Sequence, residues 1–247
     1  MNEMKGNSMA VFNSNDIYPV SADSELPFEQ HRDIFHLTGI DQEETILLLY
    51  PPSKDDKTRE ILFIRKSDNH TKVWEGEKLS RKQANELSGI NSIYYIDDFK
   101  DILSSIATKV DTFYINKNEH YRANSPVETR EDRFISWLLK NYPAHNVAKS
   151  NPILQRQRSI KHPDEIDQIK KACDITRRGF NRVLKFIKPS VWEYEIEAEF
   201  IHEFINNSSK GFAYSPIIAS GNDNNVLHYI KNNKQCKSGE LILMDVG

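Results

Sequence analysis

The sequence has few cysteines and no long hydrophobic run, and both shortages exclude classes of protein. Two cysteines, Cys173 and Cys236, are too few for a disulfide framework or a cysteine-based zinc site. The longest uninterrupted apolar run covers residues 46–50, whereas a membrane helix needs about 20 residues. The first ten residues contain no apolar segment followed by a small-residue cleavage site, so we expect no secretory signal. We therefore expect a cytoplasmic protein that does not enter a membrane.

An excess of basic charge is also lacking. The chain has 33 Lys and Arg residues against 36 Asp and Glu residues, a net charge of -3. Proteins that bind nucleic acids usually show a basic excess or a basic stripe, so we expect no nucleic-acid partner. Aromatic residues, by contrast, are plentiful, with 12 Phe, 10 Tyr and 3 Trp, which is too many for a disordered chain. The composition indicates a globular protein.

Short strands and helices alternate through the first 150 residues. Two apolar segments, 44–50 and 60–65, flank the turn-forming stretch 51–56, and this arrangement predicts a β-hairpin. The same reading predicts strands at 93–96 and 112–115 and helices at 97–108 and 130–139. We therefore expect an α/β domain over residues 1–150.

The pattern changes after residue 150. Pro163, followed by two acids, begins a helix because proline fits the first turn and acids favour the positive end of the helix dipole. Apolar residues at three- and four-residue spacing extend this helix to about Lys188. Ser190 is predicted to cap a second helix. Three strands are then predicted, at 215–219, 226–230 and 241–246.

Residues 151–247 therefore form an α+β unit with two helices and three strands. Such a unit buries a limited core, and its last strand would present an unpaired edge. We expect it to be the first part of a larger domain, truncated at its C-terminal end, Gly247.

Two residues in the predicted strands could carry chemistry. Asp245 ends the apolar segment 241–244, where it is either an ordinary carboxylate at a strand end or a metal-binding or acid–base group. His228 shares a strand face with Val226 and Ile230, where it is either a hydrogen-bonded core histidine or a proton-transfer or oxyanion-stabilising group.

A functional role for these two residues is better supported when they are considered together. If strands 226–230 and 241–246 pair antiparallel with Ile230 opposite Leu241, His228 and Asp245 are diagonal neighbours on one face, about 7–8 Å apart. That separation leaves room for a metal ion and a substrate atom. The connection between the two strands is too long to fix the register, so the pairing is a hypothesis.

Five stretches of the second unit together resemble a known family. They are RSIKHPDEI (158–166), KPSVWEYE (188–195), YSPIIASG (214–221), NVLHY (225–229) and GELILMDVG (239–247). In this order they resemble the start of the catalytic domain of the aminopeptidase P (Xaa-Pro aminopeptidase) family of creatinase-like, pita-bread metallopeptidases. Upstream, PFEQ (27–30) and LTG (37–39) are similar to that family's N-terminal domain.

The resemblance implies a metal-dependent aminopeptidase that releases an N-terminal residue preceding proline. Family members hold two divalent ions, commonly Mn²⁺, with two Asp, one His and two Glu, and the ions bridge a hydroxide that attacks the peptide carbonyl. By position, Asp245 matches the first metal-binding Asp and His228 a non-ligand histidine that contacts the substrate. Tyr214 matches a tyrosine beside the metals. Trp74 matches a tryptophan that relatives extend into a neighbouring subunit's active site, although a structural tryptophan is an equal alternative.

The remaining metal ligands of the family would lie beyond Gly247. The resemblance therefore implies a peptidase, but it also implies that this chain alone has no peptidase activity. The implied partners are a peptide with proline at its second position and further copies of the chain, in a dimer or tetramer. Two alternatives stay open: a prolidase that acts on Xaa-Pro dipeptides, and a non-catalytic pita-bread module that binds peptides.

Overall fold

The structure, a computed structural model, describes residues 1–118, 120 and 126–247 and places them in two compact units. The first unit is Met1–Ser159 and the second is Ile160–Gly247. The boundary expected between residues 150 and 151 coincides with the start of helix Asn151–Ser159. This helix belongs to the first unit because its Leu154 is buried in that unit's core. Ile34 and Leu47 belong to the same core.

A six-stranded mixed sheet forms the centre of the first unit. The described strands of this unit are β1 (Ser8–Asn13), β2 (Pro19–Ser21), β3 (Ser24–Glu25), β4 (Ile46–Leu49), β5 (Glu60–Ile64), β6 (Ser92–Tyr95), β7 (Thr112–Ile115) and β8 (Asn146–Lys149). Their order in the large sheet is β6-β5-β4-β1-β7-β8, and β2 pairs separately with β3. Strand β1 is antiparallel to β4 and parallel to β7, which is in turn parallel to β8.

Helices cover both faces of this sheet. They are α1 (Arg32–Thr38), α2 (Asp56–Arg59), α3 (Asn69–Trp74), α4 (Arg81–Ser88), α5 (Phe99–Ala107), α6 (Arg130–Asn141) and α7 (Asn151–Ser159). Successive strand residues point to opposite faces, so the sheet has two cores. Val11 and Phe63 share one core with residues of α5 and α6. Phe12 and Leu62 share the other with residues of α1, α4 and α7.

The sequence-based elements of the first unit are confirmed. The predicted hairpin is the antiparallel pair β4 and β5, and the predicted strands at 93–96 and 112–115 are β6 and β7. The helices predicted at 97–108 and 130–139 are α5 and α6. Central strand β1 and edge strand β8 were not predicted, because the identity of each as a strand depends on its neighbours in the sheet.

Two helices pack against a two-stranded sheet in the second unit. They are α8 (Pro163–Phe186) and α9 (Glu193–Asn206), and the strands are β9 (Ile217–Ser220) and β10 (Ile242–Asp245). The core contains apolar residues of both helices and of β9, among them Val183, Phe200 and Ile218. Gly179 lets the helices approach closely, since a Cβ at this position would lie 2.9 Å from Cδ1 of Phe200.

Two predictions about the second unit are wrong. Residues 226–230 form no strand, and β10 pairs antiparallel with β9, with Asp245 opposite Ile217. The alternating pattern failed because Tyr229 turns inward to a buried carboxylate while Leu227 remains 82% exposed. Ser190 does not cap α9. Its φ of 76° places it in a turn, and Trp192 is the N-cap.

Among the described residues, no helix combines the length and the apolar character that crossing a bilayer requires.

Candidate metal and substrate site

Asp245 and Tyr214 meet at the end of strand β10. The Tyr214 hydroxyl donates a hydrogen bond to Oδ1 of Asp245 at 2.5 Å, and both side chains are exposed. This hydrogen bond is the main cause that raises the pKa of Tyr214, because ionising the phenol would place a second negative charge beside the carboxylate. A backbone hydrogen bond of 2.7 Å from Ala213 to Gly247 fastens the two segments together.

The carboxylate of Asp245 is a suitable ligand for a divalent cation, but one carboxylate does not make a metal site. A carboxylate is a hard oxygen ligand of the kind that Mn²⁺ and Mg²⁺ prefer. The described part of the chain, however, contains no group of three or more His, Cys, Asp or Glu side chains that could hold a metal ion. The described residues around Asp245 therefore do not form a complete metal site.

His228 lies elsewhere than the sequence predicted. It sits in a turn that follows the short 3₁₀ helix Gly221–Asn225, and it is exposed. Because residues 226–230 form no strand and β10 pairs with β9, the diagonal pairing of His228 with Asp245 across two strands is wrong. The structure brings Tyr214, rather than His228, into hydrogen-bond contact with Asp245.

A buried carboxylate positions the segment that carries His228. Glu193 is completely buried, and it accepts hydrogen bonds from the N–H and the hydroxyl of Ser220 at 2.8 and 2.7 Å. It also accepts one from the Tyr229 hydroxyl at 2.7 Å and one from the Lys234 N–H at 2.9 Å. Burial and the bond to Glu193 raise the pKa of Tyr229. Glu193 thus ties the end of β9 to the residue that follows His228.

Asn232 holds the same segment from another side. Its side-chain amide donates to Glu197 at 2.8 Å and to the Pro216 carbonyl at 3.0 Å, while its oxygen accepts from the Ile218 N–H at 3.0 Å. Sequence reasoning missed the positioning roles of Glu193 and Asn232. Glu193 lies in the stretch KPSVWEYE, but its partners become apparent only when strand β9 and the 226–234 segment are folded onto it.

Trp74 is exposed at the end of helix α3. Its side chain is 74% exposed, and that of the preceding Val73 is 80% exposed. The Asp68 side chain caps the helix by accepting from the Thr71 N–H at 2.7 Å. Two adjacent exposed apolar side chains at this helix end offer a surface for contact with another molecule.

An ion-pair cluster anchors the residue that follows Trp74. The Arg65 guanidinium binds both oxygens of Glu75, at 2.7 and 2.9 Å, and also contacts Glu43 at 2.9 Å. Lys78 pairs with Glu43 at 2.7 Å and with Glu75 at 3.1 Å. The hydrogen bonds from Arg65 are the main cause that lowers the pKa of Glu75. Arg65, Glu43, Glu75 and Lys78, here called the Arg65 cluster, thus fix the base of the exposed tip.

Comparison with known families accounts for both units. The family described as "Aminopeptidase P, N-terminal domain" matches residues 1–114, and "Metallopeptidase family M24" matches residues 167–247. The chain belongs to the aminopeptidase P family of M24 metallopeptidases. The predicted fold class, an α/β N-terminal domain followed by part of a pita-bread domain, is therefore confirmed.

Individual relatives of this aminopeptidase P family chain agree. The Xaa-Pro aminopeptidase of Escherichia coli K12 is 28% identical over 92% of this chain and 52% of the relative. A solved structure from Bacillus anthracis has a TM-score of 0.90 at 30% identity, and the match covers 100% of this chain and 58% of that one. Zn-substituted E. coli aminopeptidase P in complex with product has a TM-score of 0.86 at 26% identity, covering 99% of this chain and 56% of the other. The chain spans about half the length of the relatives it matches.

Proposed function

We propose that this chain forms part of a metal-dependent aminopeptidase that releases an N-terminal residue preceding proline. The observation that carries the proposal is the exposed carboxylate of Asp245 at the end of β10, held at 2.5 Å by the Tyr214 hydroxyl, in a chain of the aminopeptidase P family. A peptide with proline at its second position is the proposed substrate. A cytoplasmic location belongs to the same proposal.

Asp245 is the proposed metal ligand, and Tyr214 is the residue that orients it. A hydroxyl that donates to one carboxylate oxygen restricts rotation of the carboxylate and leaves the other oxygen to face a cation. Two divalent ions, which we propose to be Mn²⁺, would lower the pKa of water and supply the nucleophile when bound. Asp245 is the one residue to which we assign a role as ligand of these two ions.

His228 and Trp74 are the proposed substrate contacts. His228 is exposed on a segment that Glu193 and Asn232 hold in place, so its imidazole is available to donate to a peptide carbonyl. Trp74, on its anchored helix tip, is exposed enough to reach into another subunit. A homo-oligomer, as a dimer or tetramer, is therefore part of the proposal.

The test compares this chain with the complete product of its gene. Both are assayed with Mn²⁺ on Xaa-Pro-Xaa tripeptides and on Xaa-Pro dipeptides, together with the variants Asp245→Asn and His228→Ala. We expect the complete product to release the first residue of the tripeptide. Asp245→Asn should weaken Mn²⁺ binding and nearly abolish turnover, while His228→Ala should keep Mn²⁺ and lose about 3 kcal/mol of transition-state stabilisation.

Other outcomes would indicate a different function or remove a residue's proposed role. Cleavage of dipeptides alone would identify a prolidase. Peptide binding without hydrolysis by the complete product would identify a non-catalytic module. Unchanged turnover in Asp245→Asn would remove the metal-ligand role, and unchanged turnover in His228→Ala would remove the substrate role.

A further inference from the structure

The first unit contains a polar cavity that the proposed peptidase reaction does not use. Its volume is about 390 Å³, which lies within the range of about 300–1,000 Å³ typical of small-molecule sites. Its lining comes from five places: the end of β1 and the residues after it, the residues after β7, the start of α1, the start of α6, and helix α7. All the lining residues belong to Met1–Ser159.

The sheet topology places this cavity at a switch point. Strands β1 and β7 are parallel neighbours, so their carboxyl ends lie at the same edge of the sheet. From that edge the chain leaves β1 toward β4 on one side and leaves β7 toward β8 on the other. A crevice opens where two such connections diverge, and open sheets with parallel strands bind ligands there. Asn13 and Asn116 line the cavity from these two strand ends.

Arg130 supplies an incompletely paired positive charge. Its backbone N–H donates to Asp16 at 2.6 Å, but among the described residues its guanidinium makes no hydrogen bond or ion pair. Burial is the main cause that lowers the pKa of this guanidinium. The carboxylates of Glu44, Asp16 and Glu131 act on it electrostatically from beyond ion-pair distance. A partly desolvated guanidinium that forms no close ion pair favours a ligand that carries a carboxylate.

Glu131 supplies the complementary negative group. Its two oxygens accept from the Asn13 side-chain amide at 2.7 Å and from the Asn116 backbone N–H at 3.2 Å. Burial raises the pKa of this carboxyl, and the charge of Arg130 opposes that rise. Within the described ranges no Lys or Arg side chain forms a close ion pair with Glu131. Each carboxylate oxygen can accept more than one hydrogen bond, so an ammonium group from a ligand can still bind.

The other charges at the cavity are already paired. Arg32 pairs with Glu29 at 2.8 Å, and Arg158 pairs with Asp33 at 2.6 Å. Asp16 pairs with Arg133. The lining has four carboxyl groups against three guanidinium groups, and this negative balance disfavours a multiply charged anion such as phosphate. One guanidinium and one carboxyl group therefore remain for a ligand.

We propose that this cavity, between the carboxyl ends of β1 and β7, binds a small zwitterion of the class of free amino acids and dipeptides. The ligand carboxylate pairs with Arg130, and the ligand ammonium group donates to Glu131. The proposal does not depend on peptidase activity, because the cavity lies within one unit and needs neither Asp245 nor a metal.

The test measures binding of glycyl-glycine to the chain by isothermal titration calorimetry, without added metal. Glycyl-glycine contains no proline, so failure of this test and failure of the proposed peptidase function are distinguishable. We expect saturable binding, together with a shift of the Asn13 side-chain amide signal in NMR spectra. Acetate and methylammonium, each carrying only half of the zwitterion, should bind at least about tenfold more weakly, since each loses one charge-assisted hydrogen bond.

Variants locate the site. Arg130→Gln and Glu131→Gln should each weaken glycyl-glycine binding at least about tenfold. Arg130→Lys keeps the charge but loses the planar guanidinium, so its affinity for glycyl-glycine should lie between that of Arg130→Gln and that of the parent. Arg156→Gln and Glu128→Gln are the matched controls outside the cavity and should leave the affinity unchanged. Thermal unfolding confirms that each variant is folded.

Three results would overturn the proposal. The first is no saturable binding of glycyl-glycine in the millimolar range. The second is tighter binding of inorganic phosphate than of glycyl-glycine. The third is an equal loss of affinity in the control variants, which would place the ligand elsewhere on the surface.

Discussion

At the scale of single residues, buried polar groups determine how the second unit is arranged. Glu193 is completely buried, and all four of its hydrogen bonds come from neutral donors. A buried carboxylate is tolerated only when several donors replace its lost water. The donors lie in β9 and in the 226–234 segment, so a single side chain links parts of the chain that share no strand pairing.

Replacing Glu193 should therefore unfold the second unit more readily. In Glu193→Gln the amide NH₂ would face donors that need an acceptor, and we expect a loss of about 3 kcal/mol in the free energy of unfolding. Urea unfolding measures this loss. Glu195→Gln in the same turn is the matched control, because glutamine can still accept the hydrogen bond from the Trp192 N–H. Equal stability of the two variants would refute the linking role of Glu193.

At the scale of elements, close packing and helix caps fix the positions of the helices. Helix α8 approaches α9 where Gly179 faces the rings of Phe200 and Phe204, both of them buried. Helix α6 begins at a capping box, in which the Thr129 hydroxyl and the Asp132 carboxylate each bond to the other's backbone. These two features make different predictions.

Gly179→Ala should destabilise the second unit although alanine is the better helix former. The added methyl would lie 2.9 Å from Cδ1 of Phe200, a ring that the core holds rigidly. Overpacking costs about 1–3 kcal/mol, against about 1 kcal/mol gained in helix propensity, so we expect a net loss of about 1 kcal/mol. Asn181→Ala, on the exposed face of the same helix, is the control and should raise stability slightly. A gain in both variants would show that the helices can separate without cost.

Asp132 makes the stability of α6 depend on pH. Hydrogen bonds from Thr129 and Lys117 lower its pKa from 3.8 to about 2. A carboxyl whose pKa is lower in the folded state stabilises the fold above its ordinary pKa and loses that effect as the pH falls through the folded value. Asp132→Asn should therefore cost stability at pH 7, and the cost should shrink as the pH falls from about 4 to about 2. Because the side chain of Asp132 remains partly exposed and solvent screens its interactions, we expect at most about 1 kcal/mol.

Thermal unfolding between pH 7 and pH 2 tests this dependence on Asp132. Thr129→Ala removes the largest cause of the shift and should show a similar loss. The double variant should lose less than the sum of the two single losses, because both residues act in one cap. A constant difference between Asp132→Asn and the parent at every pH would contradict the assignment.

At the scale of the whole molecule, the exposed tip of α3 is the surface from which we expect assembly. Trp74 and Val73 are exposed, while the Arg65 cluster holds the base of the tip in one geometry. A rigid aromatic anchor loses little conformational entropy when it enters a partner's pocket, which is why tryptophan is enriched at interface hot spots.

Trp74→Ala should weaken self-association of the chain without changing its fold. Loss of a hot-spot tryptophan costs about 2 kcal/mol or more, so we expect the dissociation constant to rise at least about tenfold. Sedimentation velocity measures the assembly, and circular dichroism checks the fold. Leu87→Ala is the matched control, since Leu87 is also exposed in the first unit. If Trp74→Ala and the parent assemble to the same degree, Trp74 does not contribute to self-association.

Sequence patterns predicted the elements whose shape depends on local spacing. The α8 helix followed from apolar residues at three- and four-residue intervals and a proline in the first turn. The β4–β5 hairpin followed from two apolar runs around a turn. Asp245 and His228 were singled out by their positions in predicted strands, and Tyr214 by the resemblance of its stretch to a family. Family comparison confirmed the resemblance but not the roles of these residues. Local periodicity is a property of neighbours in sequence, so the sequence alone is enough to show it.

Only the tertiary structure decided which distant segments meet. Residues 226–230 alternate like a strand, yet a buried hydrogen bond from Tyr229 to Glu193 turns them away from β10, and β9 pairs there instead. The cavity at the ends of β1 and β7 joins Asn13, Asn116 and Glu131, which lie far apart in the sequence. Burial and hydrogen bonding across the fold set these contacts, and their free energy exceeds the local preferences that a sequence pattern can report.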